Sequence, residues 1–460
     1  MGPIPADGIF ARAALLPTGW AENVALRFAD DGTIASVSVA SRPDGLSIAA
    51  GPVIPGAVNV HSHAFQRALV GRVQRLSGVD DFWTWREKMI RLVGVLSPED
   101  VEILTIRLYR ELLVHGYTSV AEFHYLHRDQ KGAAYAAPEE LAQRIVIAAQ
   151  TTGIGLTLLP VLYRWTGFDR RPLEGPFRRF FLSPDEYSGM VERLARASRE
   201  QGFSLGLAPH SLRAVAEDDL AELWAMGHED WPIHIHVAEQ IGEVEACLAH
   251  TGLSPARWLL EHARLDERWT LVHTTHTSPD ERRDLAGANV TIGLCPTTEG
   301  DLGDGFFPFA DWLGRGGTFA IGSDSQVSVS AGEELRALLY RTRLDERKRG
   351  VVTPDARLGH GSALWAAAAR DGGRAIGRRT GALQAGSRAD LLVLDLTSPL
   401  LAGLVPDDAT NAFVLSGSAA DLDRVMVSGR PVVEQGRHFA DESIRTIWPA
   451  TAERIARALA

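Results

Sequence analysis

Short apolar runs and longer amphipathic stretches alternate through most of the chain. The runs are PGAVNVHSH (55–63), TSVAEFHY (118–125), IGLTLLPVLY (154–163), FSLGLAPH (203–210), PIHIHVAE (232–239), TLVHTT (270–275), VTIGLCP (290–296) and TFAIGSDS (318–325). Between them, residues 98–115, 139–152, 184–201, 215–227, 255–262 and 278–286 carry apolar side chains at helical spacing. Apolar runs alternating with helices are the pattern of parallel strands buried on both faces. Eight runs predict an α/β chain built as a (β/α)8, or TIM, barrel over 53–384. An open doubly wound sheet is the competing architecture. It is disfavoured because no glycine-rich phosphate loop follows any run.

The two ends of the chain have a different rhythm. ALLP, VALRFAD and DGTIASVSV near the start, and RADLLVLDL and DRVMVSGRPVVEQGRHF near the end, are short strands separated by turns. Neither end makes a convincing domain alone. Residues 1–52 and 385–440 are therefore expected to pair into one composite β-sandwich, followed by an amphipathic helix over 441–460.

Composition narrows the classes. The 460 residues carry a net charge of −11 and no basic run, which argues against nucleic acid and anionic membranes as partners. No stretch approaches the ~20 apolar residues of a membrane helix, and the N-terminus lacks the charged and apolar regions of a signal peptide. The two cysteines, Cys247 and Cys295, form neither a disulfide framework nor a Cys-based zinc site. A cytoplasmic protein is the expectation.

The chemistry sits at the ends of the runs: His61 and His63, Tyr125, His210, His236 and Glu239, His273, and Asp324. In a barrel the C-terminal strand ends form the active-site face, so residues distant in sequence converge there. His61 and His63 are two apart and face one way on a strand. With His236 and Asp324 they make a set of imidazoles and one carboxylate that suits a catalytic zinc with a position left for water. Iron suits the same nitrogen and oxygen donors. His234 shares a face with His236 but lies deeper, and reads as a core or supporting residue. Glu239 alone reads as a helix N-terminal carboxylate; beside His236 and a hydrolytic metal it reads as a proton shuttle. His273 closes its strand where it can orient or deprotonate a water. His276 reads as a loop residue or as one that supports the site from behind.

These residues carry a family resemblance. VIPGAVNVHSHAFQRAL, HIHVAEQ, LVHTTH, GLCPTTEGDLGDG and IGSDS resemble the mononuclear deaminases of the amidohydrolase superfamily. DDFWTWREKM, GYTSVAEFHYLH, APHSLRAV and LCPTTEGDLGDGFFP resemble, more narrowly, the formimidoylglutamate deiminases. That resemblance implies hydrolysis of N-formimino-L-glutamate to N-formyl-L-glutamate and ammonia in histidine breakdown, one zinc per chain, and a homodimer. It implies zinc ligands at His61, His63, His236 and Asp324, and catalytic roles for Glu239, His273 and Asp324. It implies substrate contacts at Gln66, Arg86, Tyr125, His210 and Arg213. The carboxylated lysine of binuclear relatives is missing, because the fourth run ends in His210.

A dicarboxylate bound by an acidic protein needs local cations, and the planar fork of arginine suits a carboxylate. By spacing alone Arg86 reads as a surface arginine. Arg213, just past a strand end, reads equally as packed or functional. Gln66 reads as a loop cap or a contact, Tyr125 as packing or a hydroxyl contact, and Trp83 and Trp85 as loop walls. Two other readings compete: a deaminase of a purine, pyrimidine or triazine ring, for which two arginines make little sense, and a non-catalytic barrel scaffold, for which the full ligand set does.

Overall fold

The computed structural model describes residues 3, 6–74, 82–351 and 353–459, with the side chains of 82–84 and 86 outside that description. Arg86, expected to touch substrate, and Trp83 thus lie outside the described side chains.

Eight parallel positions close into a barrel. In chain order they are Ala57–Ser62, Tyr117–His124, Gly155–Leu162, a split fourth position, Ile233–Val237, Trp269–His273, Thr291–Leu294 and Thr318–Ile321. The fourth consists of Ser204–Leu205 and Ala208–Pro209, broken at Gly206. A Cβ at Gly206 would lie 2.7 Å from the Pro232 carbonyl oxygen, so glycine permits the close approach there. Bridges from Leu207 to Ile233 and from Ser211 to His236 carry the pairing on to the fifth strand. The eighth strand returns to the first through Ile321 opposite Asn59, and Ser62 bridges Asp324.

The intervening helices begin on a recurrent local signal. SPED, SPDE and SPDE start the helices Pro98–Val114, Pro184–Gln201 and Pro279–Gly287. In each, the serine caps the third helical residue, whose carboxylate reaches back to the serine N–H, while proline occupies the first helical position. Two further helices, Ala331–Glu346 and His360–Ala375, follow the last barrel strand.

Strands from both chain ends join in one nine-stranded mixed sheet, whose centre sets Leu391–Leu394 against Val53–Pro55 and Val53–Pro55 beside Gly8–Leu16. Alternation explains the uninterrupted LLVL. Leu391 and Val393 enter a small core with Ile9, Ala11, Val24 and Leu26, whereas Leu392 and Leu394 join the large core of the barrel. Val53–Pro55 leads after one residue into the barrel strand that carries His61. The last helix, Asp441–Leu459, packs on Pro98–Val114, with Arg110 paired to Asp441 at 2.7 Å. Among the described residues, no helix is long and apolar enough to cross a membrane.

Trp365, on His360–Ala375, is buried, and its indole N–H donates to the Pro55 carbonyl at 2.9 Å. It clamps the junction between terminal sheet and barrel. Trp365→Ala is expected to destabilise the fold by about 3–5 kcal/mol, through the cavity and the orphaned carbonyl. Chemical denaturation midpoints at unchanged slope would check this; a shift within error would mean that the junction is held elsewhere.

Candidate active site

The first strand carries His61, and His63 follows its last residue; their Nε2 atoms lie 3.1 Å apart. The fifth brings His236 Nε2 to 2.9 Å from His61 Nε2. All three rings are buried. The outer nitrogen of His63 donates to the Phe123 carbonyl at 3.0 Å, and that of His236 to the His210 carbonyl at 2.9 Å. Those bonds place the hydrogen on Nδ1 and leave an Nε2 lone pair on each ring facing the same point. Burial, first, and the neighbouring imidazoles hold His61 and His236 well below the usual histidine pKa. Burial lowers His63 to about 3. Neutral imidazoles are the form that binds a cation, and His61, His63 and His236 are a group that could hold a metal ion.

Asp324 completes this arrangement from just past the end of the eighth strand. Its Oδ1 lies 3.3 Å from His63 Nε2 and 3.7 Å from His61 Nε2. Gly322 permits the approach: a Cβ there would sit 2.8 Å from the His61 Cβ. The backbone N–H groups of Ser323 and Asp324 both donate to the His61 carbonyl. Asp324 has a left-handed backbone, with φ of 45°, as do Ala238 and His273 at 50° and 66°. For residues with a Cβ this is strain held at strand ends that face the site. Burial pushes the Asp324 carboxyl up to about 7, against the pull of His273 and with Glu239 and Glu299 adding to it. A bound cation would return it to the carboxylate form.

The other oxygen of Asp324 faces His273, whose Nε2 is 3.5 Å from Oδ2 and 3.8 Å from Glu239 Oε1. Burial disfavours charge on His273, but Glu239, Glu299 and Asp324 outweigh it and raise its pKa to about 10. Cys295 lies within ligand distance of His273 and Asp324. Burial and the nearby carboxylates push its thiol pKa well above the usual value.

A cavity opens over these groups. Its lining includes His63, His236, Glu239, His273 and Asp324 together with Gln66, Tyr125, His210 and Arg213. Every candidate residue with a described side chain, other than the deeper His61, thus lines one space. Gln66 donates to the Tyr125 hydroxyl at 2.6 Å. The Gln66 carbonyl oxygen and the Arg213 Nε are buried without a partner among the described residues, leaving one acceptor and one donor for a ligand. His234 bonds the Ala375 carbonyl from within the core, as its deeper position suggested.

Comparison with known proteins places the chain in a family. Residues 53–432 match the model of the Amidohydrolase family, and residues 7–46 match the Formimidoylglutamate deiminase HutF, N-terminal domain. The chain is 47% identical over 437 residues to the formimidoylglutamate deiminase of Pseudomonas aeruginosa, covering 95% of this chain and 96% of that one. This chain belongs to the formimidoylglutamate deiminase family. Other amidohydrolases are more distant: a 5-methylthioadenosine/S-adenosylhomocysteine deaminase of Natronomonas pharaonis is 27% identical over 408 residues, covering 87% of this chain and 84% of that one. Among solved structures, an amidohydrolase from Brucella melitensis superposes with a TM-score of 0.92 at 39% identity, covering 98% of this chain and 99% of that one.

Several residues at the site of this deiminase-family chain escaped the sequence reading. Tyr163, Phe177, Phe180 and Leu302 add an apolar wall. Glu122 accepts from the Ala64 N–H at 2.6 Å, the Ser62 hydroxyl at 2.6 Å and the Tyr109 hydroxyl at 3.2 Å, bracing the loop that carries His63. Its only sequence signal is a carboxylate inside the apolar run TSVAEFHY.

Proposed function

We propose that this chain hydrolyses N-formimino-L-glutamate to N-formyl-L-glutamate and ammonia, a step of histidine degradation. The observation that carries this reading is the convergence, in and just beneath one cavity, of three neutral imidazoles, Asp324, the Glu239–His273 pair and an Arg213 donor with no partner among the described residues. The relative named formimidoylglutamate deiminase, similar along almost the whole chain, supports the choice of substrate.

His61, His63, His236 and Asp324 would hold a divalent ion, assigned here as zinc; iron fits the same donors. Such an ion would supply a Lewis acid that makes a water acidic enough to act at neutral pH. Asp324 and His273, 3.5 Å apart, orient the attacking water; a cation beside them would oppose the charge that the surrounding carboxylates otherwise hold on His273, leaving its ring neutral and able to take the proton. Glu239 carries a proton to the imino nitrogen, which makes the formimino carbon more electrophilic and then lets nitrogen depart as ammonia. Arg213 and Arg86 grip the carboxylates of the glutamate portion, and Gln66, Tyr125 and His210 bound the rest. The resemblance extends the proposal to a homodimer in the cytoplasm.

Ammonia release from formiminoglutamate, measured beside guanine, cytosine and adenosine, tests the reading. Turnover confined to the dicarboxylate is expected; preference for a ring substrate would replace it with the purine or pyrimidine deaminase reading. Arg213→Met is expected to raise KM about 10–100-fold, the loss of one or two charge-assisted hydrogen bonds, with a smaller change in kcat. An unaltered KM would remove Arg213 from the carboxylate clamp.

A further inference from the structure

His273 has two nitrogens with opposite surroundings. Nε2 faces the cavity, 3.8 Å from Glu239 and 3.5 Å from Asp324. Nδ1 faces away, 3.3 Å from Oε1 of Glu299. Glu299 is buried and is not part of the cavity lining. It lies on Pro296–Leu302, the short helix that follows the seventh barrel strand, whereas His273 ends the sixth. Glu299 is itself held from two sides. Oε1 also accepts the Cys295 N–H at 2.8 Å, and Oε2 accepts from Arg341 at 3.4 Å. Arg341 stands on Ala331–Glu346, outside the barrel strands.

We propose that Glu299 is a positioning residue for His273. Its Oε1 fixes the hydrogen of the imidazole on Nδ1 and leaves Nε2 as the basic atom facing Glu239 and Asp324, while Arg341 holds the Glu299 carboxylate in place. This rests on the reading above, in which His273 handles a proton in the hydrolysis. A neutral imidazole has one donor and one acceptor, and the bond made by one nitrogen sets what the other can do. Without an acceptor at Nδ1, the ring can put its hydrogen on Nε2, where it can no longer take a proton from water. His273 also has a left-handed backbone, so its orientation is not held by regular strand geometry alone. Glu299 suits the task because it presents an acceptor on both sides. His273 and Cys295 donate to one oxygen and Arg341 to the other. A glutamine has one acceptor oxygen, so its amide NH2 must face donors on one side.

The decisive comparison uses Glu299→Gln, His273→Gln and the double variant in the metal-loaded protein, with Arg341→Met as a milder, more exposed change. The readouts are steady-state kinetics, metal content and the 15N imidazole signals of His273, assigned by their loss in His273→Gln. Glu299→Gln is expected to lower kcat about 10–100-fold, the usual effect of removing a partner behind a functional histidine, with KM within about threefold and metal retained. In the His273→Gln background the same change should alter kcat by less than about twofold, because the two act as one unit. The Nδ1–H signal of His273 should shift or broaden in Glu299→Gln, and Arg341→Met should move kcat and that signal in the same direction by less. An equal loss of kcat with and without His273, or an Nδ1–H signal identical in wild type and Glu299→Gln, would overturn the assignment and leave Glu299 as a fold-stabilising carboxylate. If the wild type released no ammonia from formiminoglutamate, the substrate reading would fall, while the imidazole signals would still test the positioning.

Discussion

Glu239→Gln is expected to lower kcat for ammonia release by about 10²–10⁴, the range contributed by a positioned proton donor, while leaving the metal bound. Glu239 lines the cavity and its Oε1 is 3.8 Å from His273 Nε2, but it lies outside the imidazole trio. Its backbone N–H is held by Glu243 at 3.0 Å, which anchors the main chain and leaves the carboxylate to act. Glutamine preserves shape and most packing but cannot carry a proton from water to the imino nitrogen. The loss should therefore appear in kcat rather than KM, with metal analysis giving wild-type occupancy. A variant with full turnover would assign the proton to His273 alone, and one stripped of metal would make Glu239 part of the ion's own environment.

His236→Ala is expected to remove the ion and, with it, turnover beyond about 10³-fold, because a Lewis acid and its water cannot be replaced by the remaining side chains. The Nε2 atoms of His61, His63 and His236 surround one point, and loss of any one leaves a site with two nitrogen donors and one carboxylate. Thermal denaturation supplies a second readout. An ion that binds only the folded protein raises the melting temperature by mass action, so chelation should lower it in the wild type. In His236→Ala the chelator should have little further effect. Retention of stoichiometric metal by His236→Ala would exclude this histidine from the ligand set.

The residues that were legible in the sequence are those whose role depends on position along their own strand. His61 and His63 share a face because they stand two positions apart, and His236 lies two positions nearer the mouth than His234. Asp324 was legible because a run ended there, and barrel closure brings run ends together. The residues that escaped work through partners far along the chain. Glu122 is read as a strand residue until Ser62, Ala64 and Tyr109 are seen around it, and Glu299 is one carboxylate in CPTTE until His273 and Arg341 meet it. The fourth strand read as a continuous run because nothing local announces that Pro232 crowds Gly206. The helix His360–Ala375 is mostly buried and rich in alanine and glycine, so it lacks the polar face that marks a surface helix. Arg86 retains its expected role on the resemblance alone, since its side chain is not described.

The seam between the first and eighth strands has a consequence for biosynthesis. His61 emerges from the ribosome early, yet its carbonyl accepts from Ser323 and Asp324, and the strand leading into it is flanked by Leu391–Leu394. A nascent chain that stops short of Asp324 has an unclosed barrel with two bare strand edges. Such contacts, distant in sequence, form late and slowly, so ion capture follows translation of nearly the whole polypeptide, and C-terminal truncation should yield aggregation-prone protein rather than a smaller enzyme.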